Sequence, residues 1–255
     1  MNSILKKNIV AGLGEIGLPI FKLLSKNSLT IGYDINQKLI EKKKIEKYEK
    51  NSTLMLHICI PFTSKFLINV KKLERKFKPE VLVIHSTISP TTTSTLQTKL
   101  KIPVIYSATR GIHKRMQYDL KRYTKFFAIS SNAPKKQFAI KEFKKIMQAS
   151  GVKTKQMSKP ETLELAKIVC DTSYLGWLVN FAQISNVISK QYNVDYDEMW
   201  TFSEEIHKFL GNRPKMYPGI IGGHCVIPNL QLLRSQALTQ IKEVNDYYIE
   251  NIQDS

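Results

Sequence analysis

Cysteine, acidic residues and long apolar runs are what this 255-residue sequence has little of. Its three cysteines, Cys59, Cys170 and Cys225, are too few and too scattered for a disulfide framework, which points to a reducing, cytoplasmic compartment. No Cys/His cluster has the spacing of a zinc site. His224 and Cys225 are adjacent, the wrong arrangement for chelating one ion from a turn, so no metal is expected. No run of 18 apolar residues exists to cross a membrane, and "MNSILKKNIV" lacks the apolar stretch and small-residue cleavage site of an export leader. Internal repeats and low-complexity segments are also missing. Acids number 21 against 39 Lys plus Arg, a formal charge of +18 that favours an anionic partner. Lysine-rich solvated helix faces such as "EKKKIEKYEK" account for much of it. With no aromatic-interleaved RNA motif and no DNA-reading helix, nucleic acid is not the expected partner; an anionic small molecule is.

What is present is a regular alternation. Hydrophobic residues make up 42%, enough for one large core or two modest ones. "NIVAGLG", "LTIGYDI", "LMLHICIPF", "VLVIHSTI", "PVIYSA" and "KFFAIS" read as buried strands, with amphipathic helical stretches between them. This order predicts an α/β fold, a doubly wound parallel sheet covered on both faces. Near residue 158 the pattern becomes all-helical. "SKPETLELAKIVCDTSYLGWLVNFAQISNVISKQY" reads as one long central helix, followed by helices over "DYDEMWTFSEEIHKFLG" and "NLQLLRSQALTQIKEVNDYYIENI". The expected domains are therefore 1–158 and 159–255.

"IVAGLGEIGLP" places Gly12, Gly14 and Gly17 directly after a strand and at the start of a helix. Asp34 ends the second strand, 17 residues after Gly17. The physical logic is that of a Rossmann-type dinucleotide site. Gly12 permits the tight turn, Gly14 lets backbone approach a pyrophosphate, and Gly17 lets helix and sheet pack closely. The helix N-terminus, with Glu15 and Ile16 in the loop, holds phosphate on free N–H groups. A carboxylate at Asp34 binds ribose hydroxyls and repels a 2′-phosphate, so NAD is expected rather than NADP.

Taken in order, several segments resemble the nucleotide-sugar dehydrogenases, which oxidise UDP-glucose, GDP-mannose and related sugars to uronic acids. "GLGEIGLP" is similar to that family's glycine loop, "HICIPFT" to its strand ending in Val-Pro-Thr, and "HSTISPTTT" to its Ser-Thr-Val-Pro-Pro-Gly-Thr segment. "ETLELAKIVCDT" resembles its lysine helix, and "PGIIGGHCVIPN" its Pro-Gly-x-Gly-x-Gly-Gly-His-Cys-Ile-Pro segment. The resemblance implies Cys225 as the nucleophile that captures an aldehyde, and Lys167 as the group that stabilises the oxyanion. It also implies Thr87 as a positioner of catalytic water, Pro61 and Thr87 beside the cofactor, and Gly222, Gly223 and His224 beside the substrate. A homodimer formed through the 160–190 helix follows from the same source, as does a role in polysaccharide biosynthesis. A thiolate in a glycine turn can approach a carbonyl closely, and a nearby ammonium lowers its pKa. Read alone, Cys225 is better taken as a small buried hydrophobe beside a glycine turn; the ordered motifs around it shift the reading to a nucleophile.

The chain departs from the family in several places. Asp171 stands where the family has Asn, and Asn229 where it has Asp, as if carboxylate and amide had exchanged places around one site. On a helix Lys167 and Asp171 share a face and can pair. Thr109 replaces the family's glutamate base for thioester hydrolysis; His113 is a candidate substitute, and Arg110 a candidate anion contact. The family's third, nucleotide-gripping domain is expected to be missing, so the chain resembles a truncated form. Three readings follow. The first is a nucleotide-sugar-type dehydrogenase with a cysteine-bound intermediate. The second is a β-hydroxyacid-type enzyme making a single two-electron oxidation with Lys167 as acid/base. The third is a non-catalytic NAD-binding relative.

Overall fold

The computed structural model describes residues 5–40, 42–210, 218–223, 226–232 and 236–253. The chain divides into two compact units, residues 1–165 and 166–255.

In the first unit, seven strands among the described residues form one sheet in the order β2-β1-β3-β4-β5-β6-β7. They are β1 (Lys7–Ala11), β2 (Thr30–Tyr33), β3 (Thr53–Ile58), β4 (Val81–Ile84), β5 (Val104–Tyr106), β6 (Lys125–Ile129) and β7 (Thr154–Gln156). The helices are α1 (Gly17–Leu24), α2 (Lys42–Lys47), α3 (Phe66–Phe77), α4 (Thr92–Lys99), α5 (Met116–Arg122), α6 (Lys136–Ala149) and α7 (Pro160–Leu165). Apart from β7 the strands are mostly apolar, because both sheet faces are covered. Val10, Met55, Val83, Ile105 and Phe127 meet α1, α5 and α6 on one face. Ile9, Leu56, Leu82, Tyr106 and Ala128 meet α3, α4 and α7 on the other. Alternate residues of one strand serve opposite layers, as a period of two requires.

The sheet is not wholly parallel. β6 runs antiparallel to β5, with Ile105 opposite Ile129, and β7 then pairs parallel to β6. α5 and β7 have no counterpart in the hydrophobic pattern. α5 is under two turns long, and β7, "TKQ", contains no apolar residue.

The second unit is helical among the described residues. A π-helical segment, Ala166–Ser173, leads into α8 (Tyr174–Gln191), followed by α9 (Tyr196–Thr201), α10 (Glu204–Leu210), α11 (Val226–Leu230) and α12 (Gln236–Gln253). Two expected helices are each split. The first breaks at Phe202 and Ser203, where the Ser203 N–H turns back to the Trp200 carbonyl. The other ends α11 at Leu230, before α12 begins. Gly176 on α8 brings Val226 and Ile241 close: an added Cβ would lie 3.0 Å from Ile241 and 3.2 Å from Val226.

A buried polar chain crosses the carboxyl end of the sheet. His57 Nδ1 lies 2.9 Å from His85 Nε2, and His85 Nδ1 lies 3.1 Å from the Ser107 carbonyl. A carbonyl only accepts, so His85 Nδ1 carries the proton and its Nε2 accepts from His57 Nδ1–H. That leaves His57 Nε2 a bare acceptor, buried and without a hydrogen-bond partner. Desolvation is the first cause holding both rings neutral. It lowers His57 from 6.5 to about 3 and His85 well below 6.5, and the Lys125 charge adds to both effects.

Because both folded-state values are depressed, the unfolded chain takes up these protons first as the pH falls. The stabilisation is complete above about pH 7 and is lost as the pH drops from 6.5 toward 3, by about 1.4 kcal/mol per pH unit for each histidine. Denaturant melts from pH 7.5 to 5 should show this slope, and His57→Leu should flatten it. A melting curve that does not move with pH would show that the pair is not held neutral.

Candidate active site

The chain winds outward from β1 to β2 on one side and from β3 to β5 on the other. The crevice therefore opens at the carboxyl ends of β1 and β3, the switch point where α/β sheets take ligands. The glycine loop sits there. Gly12 has φ +91°, and a Cβ on it would lie 2.6 Å from the Cys59 carbonyl oxygen at the end of β3. A Cβ on Gly17 would lie 1.6 Å from the Gly12 carbonyl oxygen, so only hydrogen fits. A Cβ on Gly14 would meet nothing within 4 Å, leaving room for a ligand at the N-terminus of α1, which no side chain caps.

Asp34, half-buried at the end of β2, accepts the Leu13 N–H on Oδ2 at 2.6 Å and the Asn36 N–H on Oδ1 at 2.8 Å. Each oxygen keeps a second lone pair for a hydroxyl. Glu15, exposed in the loop, pairs with His113 Nδ1 at 2.9 Å. Pro61 is exposed just after β3, and Thr87 is half-buried just after β4. These residues suit a dinucleotide: an open glycine, uncapped helix N–H groups and a carboxylate at the neighbouring strand end.

Residues beyond β5 fare differently. Thr109 is buried, and its hydroxyl accepts from Lys125 Nζ at 3.2 Å. Arg110 donates to the Thr124 carbonyl at 2.8 Å and lies over the Phe126 ring, so it is engaged within the protein. His113 is engaged with Glu15. Asp119, fully buried, holds this loop by accepting the Ile112 N–H at 2.9 Å and pairing with Arg115.

In the second unit, Lys167 Nζ donates to Asp171 Oδ2 at 2.5 Å. The pair lies in the π segment, where the Thr172 and Ser173 hydroxyls reach back five residues, to the carbonyls of Lys167 and Ile168. Such extra-residue turns occur often at functional sites. α11, which carries half-buried Asn229, packs against this segment. Gly222 and Gly223 are exposed, and Gly223 has φ +71°. His224 and Cys225 lie outside the described residues.

Sequence reading misses the clamp that holds the glycine segment. Gln183 Nε2 donates to the Gly219 carbonyl at 2.7 Å and to Asn245 Oδ1 at 3.1 Å. The Ile221 N–H donates to the same Asn245 oxygen at 2.7 Å. Three buried amides in helices, Asn180, Gln183 and Asn245, are the signal that could have found it. A second set joins α7 to α4. Buried Glu164 accepts from the Thr91 and Thr93 N–H groups and the Thr93 hydroxyl, and Glu161 accepts from Ser94.

This is the Rossmann-type α/β fold of dehydrogenases, followed by a helical unit. Among solved structures the chain is similar to a UDP-D-ManNAc dehydrogenase from Pyrococcus horikoshii, with TM-score 0.75 and 17% identity over 95% of this chain and 68% of that one. It is also similar to an NDP-N-acetyl-D-galactosaminuronic acid dehydrogenase from Methanosarcina mazei Go1 (TM-score 0.72, 14% identity, 98% and 68%). A 3-hydroxyisobutyrate dehydrogenase from Mycobacterium tuberculosis gives TM-score 0.65 and 12% identity over 98% of this chain and 94% of that one. No protein-family model matches the chain, and no curated protein matches it by sequence. Among the described residues no cluster of His, Cys, Asp and Glu could hold a metal, and no helix is long and apolar enough to cross a membrane.

Replacing Asn245 with Leu strands the Ile221 N–H and one Gln183 hydrogen. It should destabilise the helical unit by about 3 kcal/mol. A chemical denaturation midpoint equal to the parent's would show that these amides do not hold the segment.

Proposed function

We propose that the chain is an NAD-dependent dehydrogenase that oxidises an alcohol carbon of an anionic small molecule, a sugar or sugar nucleotide. The observation that carries this reading is the glycine loop seated against the end of β3, with Asp34 bonded to the Leu13 N–H beside it. Gly12, Gly14, Glu15, Ile16, Gly17, Asp34, Pro61 and Thr87 are the proposed cofactor contacts. Held there, NAD would supply the acceptor for the hydride that leaves the alcohol carbon. The α1 N-terminus holds phosphate, and Asp34 accepts from ribose hydroxyls and disfavours a 2′-phosphate.

Lys167 is the proposed charge-bearing group of the reaction. Asp171 fixes its ammonium, and an ammonium so held can stabilise a developing oxyanion or, once deprotonated, accept a hydroxyl proton. In the nucleotide-sugar form of the reading, Cys225 captures the aldehyde, Asn229 and Asp171 belong with Lys167 to the catalytic set, and Gly222, Gly223 and His224 bind the substrate. Arg110 and His113 make internal contacts, which favours neither as a substrate group. One observation favours the simpler, two-electron oxidation. The position that the resemblance assigns to the hydrolytic glutamate is a buried threonine bonded to a lysine, and no base stands there.

The proposal includes a homodimer through the 160–190 helix. Tyr174, Trp177, Phe181, Ile184 and Ile188 form an exposed apolar stripe at three- and four-residue spacing along α8. Light scattering should give twice the chain mass, and Phe181→Glu should halve it; a parent that runs as a monomer ends this part of the proposal.

Calorimetry should show Asp34→Ala weakening NAD binding by about tenfold, the value of one or two charge-assisted hydrogen bonds. Unchanged affinity would refute the cofactor site. Counting NADH per substrate across UDP- and GDP-sugars and small hydroxy acids separates the two chemistries. Two NADH, with acid formation lost in Cys225→Ser, supports the cysteine route. One NADH, with a silent cysteine variant and turnover abolished in Lys167→Ala, supports the two-electron route.

A further inference from the structure

β7 lies at one edge of the sheet, and β6 is its one strand neighbour among the described residues. The Lys125 N–H donates to the Lys153 carbonyl at 2.8 Å, and the Met157 N–H donates to the Phe127 carbonyl at 2.8 Å. Backbone groups of successive strand residues point to opposite sides, so Lys153, Lys155 and Met157 are the residues that bond β6. Thr154 and Gln156 therefore turn their N–H and C=O groups outward, and no described residue meets them. Two donors and two acceptors stand in a row, a template for one more strand.

The same edge is basic. Residues 110–155 hold 13 Lys and Arg against 2 acids, so 11 of the chain's 18 net positive charges lie in less than a fifth of its length. A groove of about 810 Å³ runs beside β7; Thr124, Lys144, Gly151, Lys153, Thr154 and Lys155 line it, and no acid does. Lys153 and Lys155 share one face of the strand. There Lys155 Nζ lies 6.0 Å from the centre of the Phe126 ring, and Arg110 Cζ 5.0 Å from it. On the other side of the sheet, Lys144 Nζ lies 5.9 Å from the centre of the Phe127 ring. Lys144, Lys153 and Lys155 are exposed, and among the described residues they make no ion pair.

These features select the occupant. A phosphate backbone accepts hydrogen bonds and leaves the Thr154 and Gln156 carbonyls unmet. A second copy of β7 would set Lys153 and Lys155 against their own counterparts, a like-charge pairing that keeps edges apart. An extended acidic peptide meets both demands. Its backbone supplies donors and acceptors together, and carboxylates at every second residue fall on the lysine face.

We propose that β7 is a docking edge for an acidic, extended segment of a partner protein, which adds as a further strand beside Thr154 and Gln156 with its carboxylates at Lys153 and Lys155.

The probe is a fluorescein-labelled peptide of alternating Thr and Glu, about ten residues long, titrated with the intact chain and read by anisotropy. It should bind, and more weakly as salt rises. Replacing both Lys153 and Lys155 with Glu should weaken binding by about tenfold. Thr154→Pro removes an outward N–H while sparing the β6 ladder, and should also weaken it. In the parent protein, amide exchange at Thr154 and Gln156 should slow when the peptide binds. Three results overturn the inference: no binding; equal binding by the same peptide with every backbone nitrogen methylated, which keeps the charge and loses the donors; or binding that leaves exchange at Thr154 and Gln156 unchanged. The methylated peptide and the exchange measurement need no variant, so they decide the matter even where a variant fails to fold.

Discussion

The approach of the end of β3 to the glycine loop is the constraint on which the first unit depends. The Cys59 carbonyl takes the space a side chain on Gly12 would need, and the Gly12 carbonyl takes the space at Gly17. Those two contacts leave α1 one way to leave β1, with its uncapped N-terminus facing the crevice. They also bring the Leu13 N–H to Asp34, which ties the loop to the end of β2. Steric exclusion at two hydrogens thus fixes the geometry of the loop at which the proposed cofactor's phosphate and ribose would be received.

The second unit secures its own critical segment by other means. Among the described residues nothing lies within 4 Å of an added Cβ on Gly222 or Gly223, so, although Ile221 beside them is buried, close backbone approach does not fix those two positions. Buried amides do so instead, with Gln183 and Asn245 gripping the backbone at Gly219 and Ile221. Lys167 is likewise held by a charge partner four residues on, in a helix that has widened by one residue per turn. The glycine loop of the first unit is set by lack of room, and the glycine segment of the second by polar partners.

What can be read from sequence follows from this difference. Six strands are legible because each is apolar on both faces, and the dinucleotide loop because glycine spacing states a steric fact directly. β7 is not, since three polar residues on an edge carry no hydrophobic pattern. The reversal of β6 is hidden as well, because a buried strand reads the same in either direction. The pairing of Lys167 with Asp171 is legible from helical spacing. The engagement of Arg110 and His113 is not, since Arg110 meets a backbone carbonyl, which carries no sequence signal, and His113 meets Glu15 from the distant glycine loop. In sequence Lys125 looks like one of many lysines, and only the antiparallel turn of β6 shows that it is inside.

That reversal has a consequence for how such a protein can be varied. The chain leaves the sheet after Tyr106 and rejoins it at Lys125, at neighbouring points on the same edge, where the Ser107 hydroxyl bonds the Phe126 carbonyl at 2.9 Å. The excursion between them has both its attachment points at the mouth of the crevice, and it is tied to the glycine-loop helix as well, through Met116 and Leu120 in the core and His113 on Glu15. A change in this segment is therefore transmitted to the loop beside it, so the crevice and its rim vary together.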